Sequence, residues 1–150
     1  MANLSGGLLK RLLQGLLVAL LGLGALAASA EGLNPKDEKQ VLSVVRSQLD
    51  AFAQDDADKA FSYAAPNIRR LMGNAAHFME MVRNQYDVVY RPASTTFLKP
   101  VGDASEAVLK VQLTEEDGTP WIAVYTLQKQ KNKSWRITGC AVNPATGTMV

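Results

Sequence analysis

The chain has 150 residues, of which 47% are apolar, 20% charged and 7% aromatic, with 11 glycines, 6 prolines and a single cysteine. That balance excludes a collagen-like, disulfide-stapled or highly charged disordered protein. Of 16 basic residues, Lys10 and Arg11 lie in the acid-free first 30 positions, so the rest of the chain carries 14 bases against 14 acids, and net charge gives no argument for a nucleic-acid partner.

Lys10 and Arg11 precede an apolar run from Leu12 to Ala27, and Ala28, Ser29 and Ala30 follow it. This pattern predicts a secretory signal peptide over residues 1–30, cleaved after Ala30. The run is interrupted by Gln14 and falls short of the roughly 20 residues of a spanning helix, so an uncleaved anchor is the weaker alternative. No cysteine lies near the cleavage site for lipid attachment, and no stable membrane anchor is expected after cleavage. The destination implied is the periplasm or the exterior. Residues 31–150 are then expected to form one domain.

Asn34 is placed to cap a helix opened by Pro35, and Asp37 and Glu38 suit the positive end of its dipole. Val41, Val45, Leu49 and Phe52 fall on one stripe of that helix. Asp55 and Asp56 end it and cap a shorter helix through Ala60, Phe61 and Ala64, which stops at Pro66. A helical turn around Ile68 and Leu71 follows. Asn74 then caps a third helix, with Ala75, Phe78, Met79, Val82 and Tyr86 at the spacing of a buried face.

After Tyr90, Arg91 and Pro92 the period changes from helical to alternating. An extended segment from Thr95 to Lys99 precedes a strand in which Ala107, Leu109, Val111 and Leu113 alternate with polar residues. Asp117 and Gly118 mark a hairpin turn, Trp121 to Gln130 a third strand, Asn132 to Ser134 another turn, and Trp135 to Val142 a fourth strand. The third strand is apolar on both faces, with Ile122 and Val124 on one and Trp121, Ala123, Tyr125 and Leu127 on the other. Helices followed by strands predict an α+β domain, with three N-terminal helices packed on one side of a curved four-stranded antiparallel sheet.

The stretch from Asp55 to Ser94 and the later WIAVYTLQKQ and SWRITGC segments resemble an uncharacterised exported bacterial family, Domain of Unknown Function 4864. The distinctive residues are Asp55, Asp56, Ala60 and Phe61, then Tyr90, Arg91 and Pro92, and last Trp135, Arg136, Ile137, Gly139 and Cys140. The resemblance implies the nuclear transport factor 2-like (cystatin-like superfamily) cone, in which helices pack into the hollow of a bent sheet. It implies a pocket and assigns no activity.

A cone offers a dry cavity where a carboxylate and a tyrosine could catalyse an isomerase, dehydratase or hydrolase reaction. The acids, however, cluster at helix starts and at the tip formed by Glu115, Glu116 and Asp117, leaving Asp87, Asp103 and Glu106 near element ends. No reaction is assigned, and the enzyme reading stands as an alternative. The binding reading takes Tyr63, Tyr86, Tyr90 and Arg91 as ligand contacts, because tyrosines line pockets with an apolar ring and an orienting hydroxyl while arginine grips carboxylate or phosphate. Ordinary core packing of the same aromatics is the competing explanation. A third reading is a homodimer or other protein contact over the outer sheet face, anchored by Trp121 and Tyr125.

His77 and Met81 lie one helical turn apart, too few ligands for copper, and the run Asp55 to Asp58 lacks the glycine and distal glutamate of a calcium loop. No metal site and no cofactor are expected. Cys140 has no partner for an internal disulfide, and its place in the last strand favours packing over reactivity.

Overall fold

The computed structural model describes residues 32–146. The signal peptide expected over residues 1–30 lies outside them. Helix α1, Pro35–Ala53, begins as its sequence dictates: the Asn34 side chain accepts a hydrogen bond from the Asp37 amide at 2.8 Å, and Pro35 occupies the first turn, where a missing N–H costs nothing. Its buried stripe runs Val41, Val45, Gln48, Leu49 and Phe52. The helix ends where Asp55 adopts a left-handed φ of 55° and the amide of Asp56 turns back onto the carbonyl of Ala51. Asp56 then caps α2, Ala57–Ser62, through the amide of Lys59.

The expected turn near Ile68 is a full helix, α3, Pro66–Met72, closed by Gly73 at a φ of 83°. Asn74 caps α4, Ala75–Gln85, which buries Phe78, Met79 and Val82. Tyr86 does not continue it. Its backbone leaves helical geometry (φ −131°, ψ 46°) and starts a four-residue helix, α5, Asp87–Tyr90, which buries Val88 and Val89. The described residues thus hold five helices where three were predicted, because Gly73 and Tyr86 each interrupt a run whose apolar spacing carries on across the break.

The sheet is antiparallel. Its strands are β1 Ser94–Phe97, β2 Val101–Gly102, β3 Glu106–Thr114, β4 Pro120–Lys129 and β5 Trp135–Pro144, in the order β1-β3-β4-β5, with β2 also pairing with β3. Four strands were predicted. The fifth arises because the pairing along the outer side of β3 is divided, with Phe97 opposite Val111 and Val101 opposite Val108, while Pro100 between them has no N–H to donate. At Gly102 a Cβ would lie 2.1 Å from the Glu106 carbonyl oxygen, so this close approach accepts only glycine.

One face of the sheet carries the core. Leu109, Val111, Leu113, Ala123, Tyr125, Leu127, Trp135 and Ile137 are buried there in one cluster with the α1 stripe and with Phe78, Met79, Val82, Val88 and Val89. The other face of β4 places half-buried Ile122 and Val124 beside Gln112, Lys110, Ala141 and Asn143, which dilute its apolar character. Helices on one face of an antiparallel sheet give the predicted α+β class.

A buried acid fastens the two layers. Asp37, 2% exposed, accepts from Trp135 Nε1, Lys129 Nζ and Asn34 Nδ2, each at 2.9 Å. The Trp135 hydrogen bond holds its carboxyl below the usual range against the opposing effect of burial, and Lys129 adds to the lowering. Sequence reasoning saw in Asp37 only a favourable helix-dipole charge. A second tie is backbone: the amide of Ile137 donates to Tyr63 O at 2.9 Å, and Ala65 N to Ile137 O at 2.8 Å, docking the α2–α3 link on β5. No helix among the described residues is long and apolar enough to cross a membrane.

Candidate functional site

The α-helices and the sheet do not close completely on each other. A cavity of about 230 Å³ remains between them. Gln48 and Phe52 of α1, Ile68 and Met72 of α3, and Phe78, Met81 and Val82 of α4 form its helical walls, with Tyr86 and Val89 at one end. Tyr125, Ile137, Gly139 and Cys140 supply the sheet side. Each residue arrives by the period of its own element: Gln48 and Phe52 are one helical turn apart, as are Ile68 and Met72, while Tyr125 and Cys140 are paired across β4 and β5.

Polar groups in this wall are few. Gln48, 3% exposed, uses its amide nitrogen on the Ala60 carbonyl at 3.1 Å. Tyr125 is 1% exposed and its hydroxyl is the buried side-chain polar atom left without a hydrogen-bond partner among the described residues. Burial raises its pKa well above 10, and a thiolate at Cys140 would raise it further. Burial also pushes the Cys140 thiol up to about 11; the nearby phenol tempers that rise, yet the two side chains do not meet hydrogen-bond geometry. Both groups therefore keep their protons at pH 7. No Asp, Glu, His, Lys or Arg lines the cavity.

The nominated ligand contacts divide between two places. Tyr86 lines the cavity; Tyr63 is half-buried against the core outside it; Tyr90 and Arg91 belong to an exposed polar cluster. In that cluster Asp55 Oδ1 accepts from Arg83 Nη2 at 3.0 Å and from the Tyr90 hydroxyl, and Asp55 Oδ2 accepts from Arg91 Nη2 at 2.8 Å. Both guanidinium groups also lie over the Tyr90 ring, at 5.4 and 4.8 Å from its centroid. The Tyr90 hydrogen bond, followed by that of Arg83, holds the Asp55 carboxyl below its ordinary value. The anion expected at Arg91 is thus supplied by the chain itself. Arg83 pairs with Asp55, where the sequence suggested Asp87 one helical turn away.

The outer-face assignment of Trp121 and Tyr125 is corrected by the register. Both share the parity of Ala123 and Leu127 and pack on the helix-covered side, Trp121 half-buried with Nε1 donating to Glu115 Oε1 at 2.7 Å. Tyr125, sought as an interface anchor, is instead in the cavity wall. Its alternation with Ala123 and Leu127 was the available signal. Asp103 spends its carboxylate on the amides of Ser105 and Glu106 at 2.8 and 2.9 Å and does not reach the cavity. His77 is exposed, with its ring Nδ1 3.0 Å from the Met72 carbonyl, and no group of three or more His, Cys, Asp or Glu residues suited to a metal occurs among the described residues.

A family model described as a domain of unknown function, DUF4864, matches residues 34–150. The chain belongs to the DUF4864 family. No curated protein and no solved structure matches it. In this DUF4864 domain, two of the residue groups that carried the resemblance, Asp55 with Asp56 and Tyr90 with Arg91, meet in the exposed cluster, whereas Gly139 and Cys140 of the third reach the cavity.

Proposed function

We propose that this domain binds a small molecule in the cavity between its helices and sheet. The observation that carries the reading is the Tyr125 hydroxyl, buried without a partner in the wall of a space of about 230 Å³. Buried polar groups are nearly always hydrogen-bonded, and an unmatched one costs about 1–3 kcal/mol, which a bound ligand would offset. A cavity of roughly 150 Å³ already admits benzene, so the space is large enough for a compact ring compound. The protonated state of Tyr125 and Cys140 leaves the cavity without a base at neutral pH, which favours binding over turnover. Helices on one face of an antiparallel sheet with a cavity between the layers also support the nuclear transport factor 2-like arrangement. Lys10, Arg11, the apolar run and Ala28-Ser29-Ala30 support export of the domain, with cleavage after Ala30.

The test combines two measurements on the purified protein. Native mass spectrometry should show a small molecule retained from the host, and titration with ethylbenzene should shift the amide resonances of Met81, Tyr86 and Cys140. An empty protein whose cavity resonances do not respond would remove this reading; a doubled mass would redirect attention to the sheet face carrying Ile122 and Val124.

A further inference from the structure

We infer that the occupant of the cavity is an uncharged, largely apolar molecule carrying one hydrogen-bond acceptor, a carbonyl or ether oxygen, which the Tyr125 hydroxyl binds. The inference rests on the binding role proposed above and specifies its ligand.

Charge is decided by what the wall lacks. An anion entering this space would leave water with no cationic side chain to meet it, and a cation would find no carboxylate. Either would remain desolvated and unpaired, at a cost that apolar contact with Phe52, Phe78 and Met81 does not recover. Polarity is decided by the two buried groups. Gln48 already commits its amide nitrogen to the Ala60 carbonyl, so Tyr125 supplies the unspent hydrogen. A phenol has one hydrogen to give. A ligand acceptor uses it, whereas a ligand donor would leave it stranded against an apolar wall. The rest of the surface is aliphatic, aromatic and thioether, with Met72 and Met81 able to adjust to irregular shapes. One acceptor on an apolar frame therefore satisfies the wall.

Three probes share one frame and separate these features: acetophenone has the acceptor, ethylbenzene lacks it, and benzoate carries a negative charge. Binding to the purified protein is followed by amide chemical shifts at a pH near 7. Acetophenone should bind about 5–10-fold more tightly than ethylbenzene, the worth of one ordinary hydrogen bond, and benzoate should bind least. In Tyr125→Phe the two neutral probes should bind equally, with ethylbenzene affinity unchanged from the wild type. Independently of any variant, the carbonyl stretch of 13C-labelled acetophenone should move to lower frequency on binding.

Equal affinity of the two neutral probes for the wild type, an unmoved carbonyl band, or a preference that survives in Tyr125→Phe would overturn the hydrogen-bond assignment while leaving the binding role intact. Tighter binding of benzoate would overturn the neutral-ligand assignment. Failure of all three probes to bind would count against both the ligand class and the cavity as a binding site.

Discussion

Replacing Tyr125 with phenylalanine should stabilise the empty protein. Tyrosine to phenylalanine in a core usually costs stability, because the hydroxyl is hydrogen-bonded and a net 0.5–1.5 kcal/mol or so is lost with it. Here the side chain is 1% exposed, its oxygen has no partner, and the ring packs opposite Leu109 and Cys140 in the strand register. Phenylalanine keeps the ring contacts and removes only the desolvated hydroxyl, whose burial costs about 1–3 kcal/mol. With a urea m-value of about 1–3 kcal/mol/M, the midpoint should rise by roughly 1 M at constant m. Equilibrium unfolding followed by tryptophan fluorescence measures this directly. A variant less stable than wild type by about 1 kcal/mol would show that the hydroxyl is bonded in the free protein, to internal water or to Cys140. The observation beneath the proposed binding role would then be gone.

Other predictions test the frame around the cavity. Asp37→Ala should cost about 3–5 kcal/mol in urea unfolding, because it strands the Trp135 N–H and removes the buried partner of Lys129. The folded-state pKa of Asp37 lies below the ordinary 3.8, so its contribution is present above that value and lost as pH falls through the lower, folded one. The acid limb of a stability profile should accordingly flatten in Asp37→Asn. Cys140 should react slowly with a disulfide reagent at pH 8 and faster as pH approaches its pKa of about 11, and ethylbenzene should slow it further; rapid modification at pH 7 would contradict the burial assigned to this thiol. Gly102→Ala should lower the midpoint for thermal unfolding, since its Cβ would meet the Glu106 carbonyl at 2.1 Å, and an unchanged midpoint would refute the close approach.

Local chemistry made much of the fold legible. Asn34, Asp56 and Asn74 cap the helices that their short polar side chains announced, and Gly118 turns the hairpin with a φ of 86°. The alternation through Ala107, Leu109, Val111 and Leu113 marked the strand face that packs on α1. Such signals lie within a few residues of one another and act through backbone angles and the helical or two-residue period, so the sequence itself carries them.

What eluded that reading depends on partners far apart in the chain. Asp37 looked like a dipole charge until Trp135, 98 positions away, was placed against it. Arg91 looked free to grip an anion, but the left-handed turn at Asp55 brings a carboxylate 36 positions distant to its guanidinium. Tyr125 sits in a strand apolar on both faces, where composition leaves the buried side ambiguous; strand pairing and the helical layer decide it together. The cavity has no local signature at all, because an unfilled volume is the mismatch left when separately determined elements pack, and only their tertiary arrangement determines its size and the isolated hydroxyl in its wall.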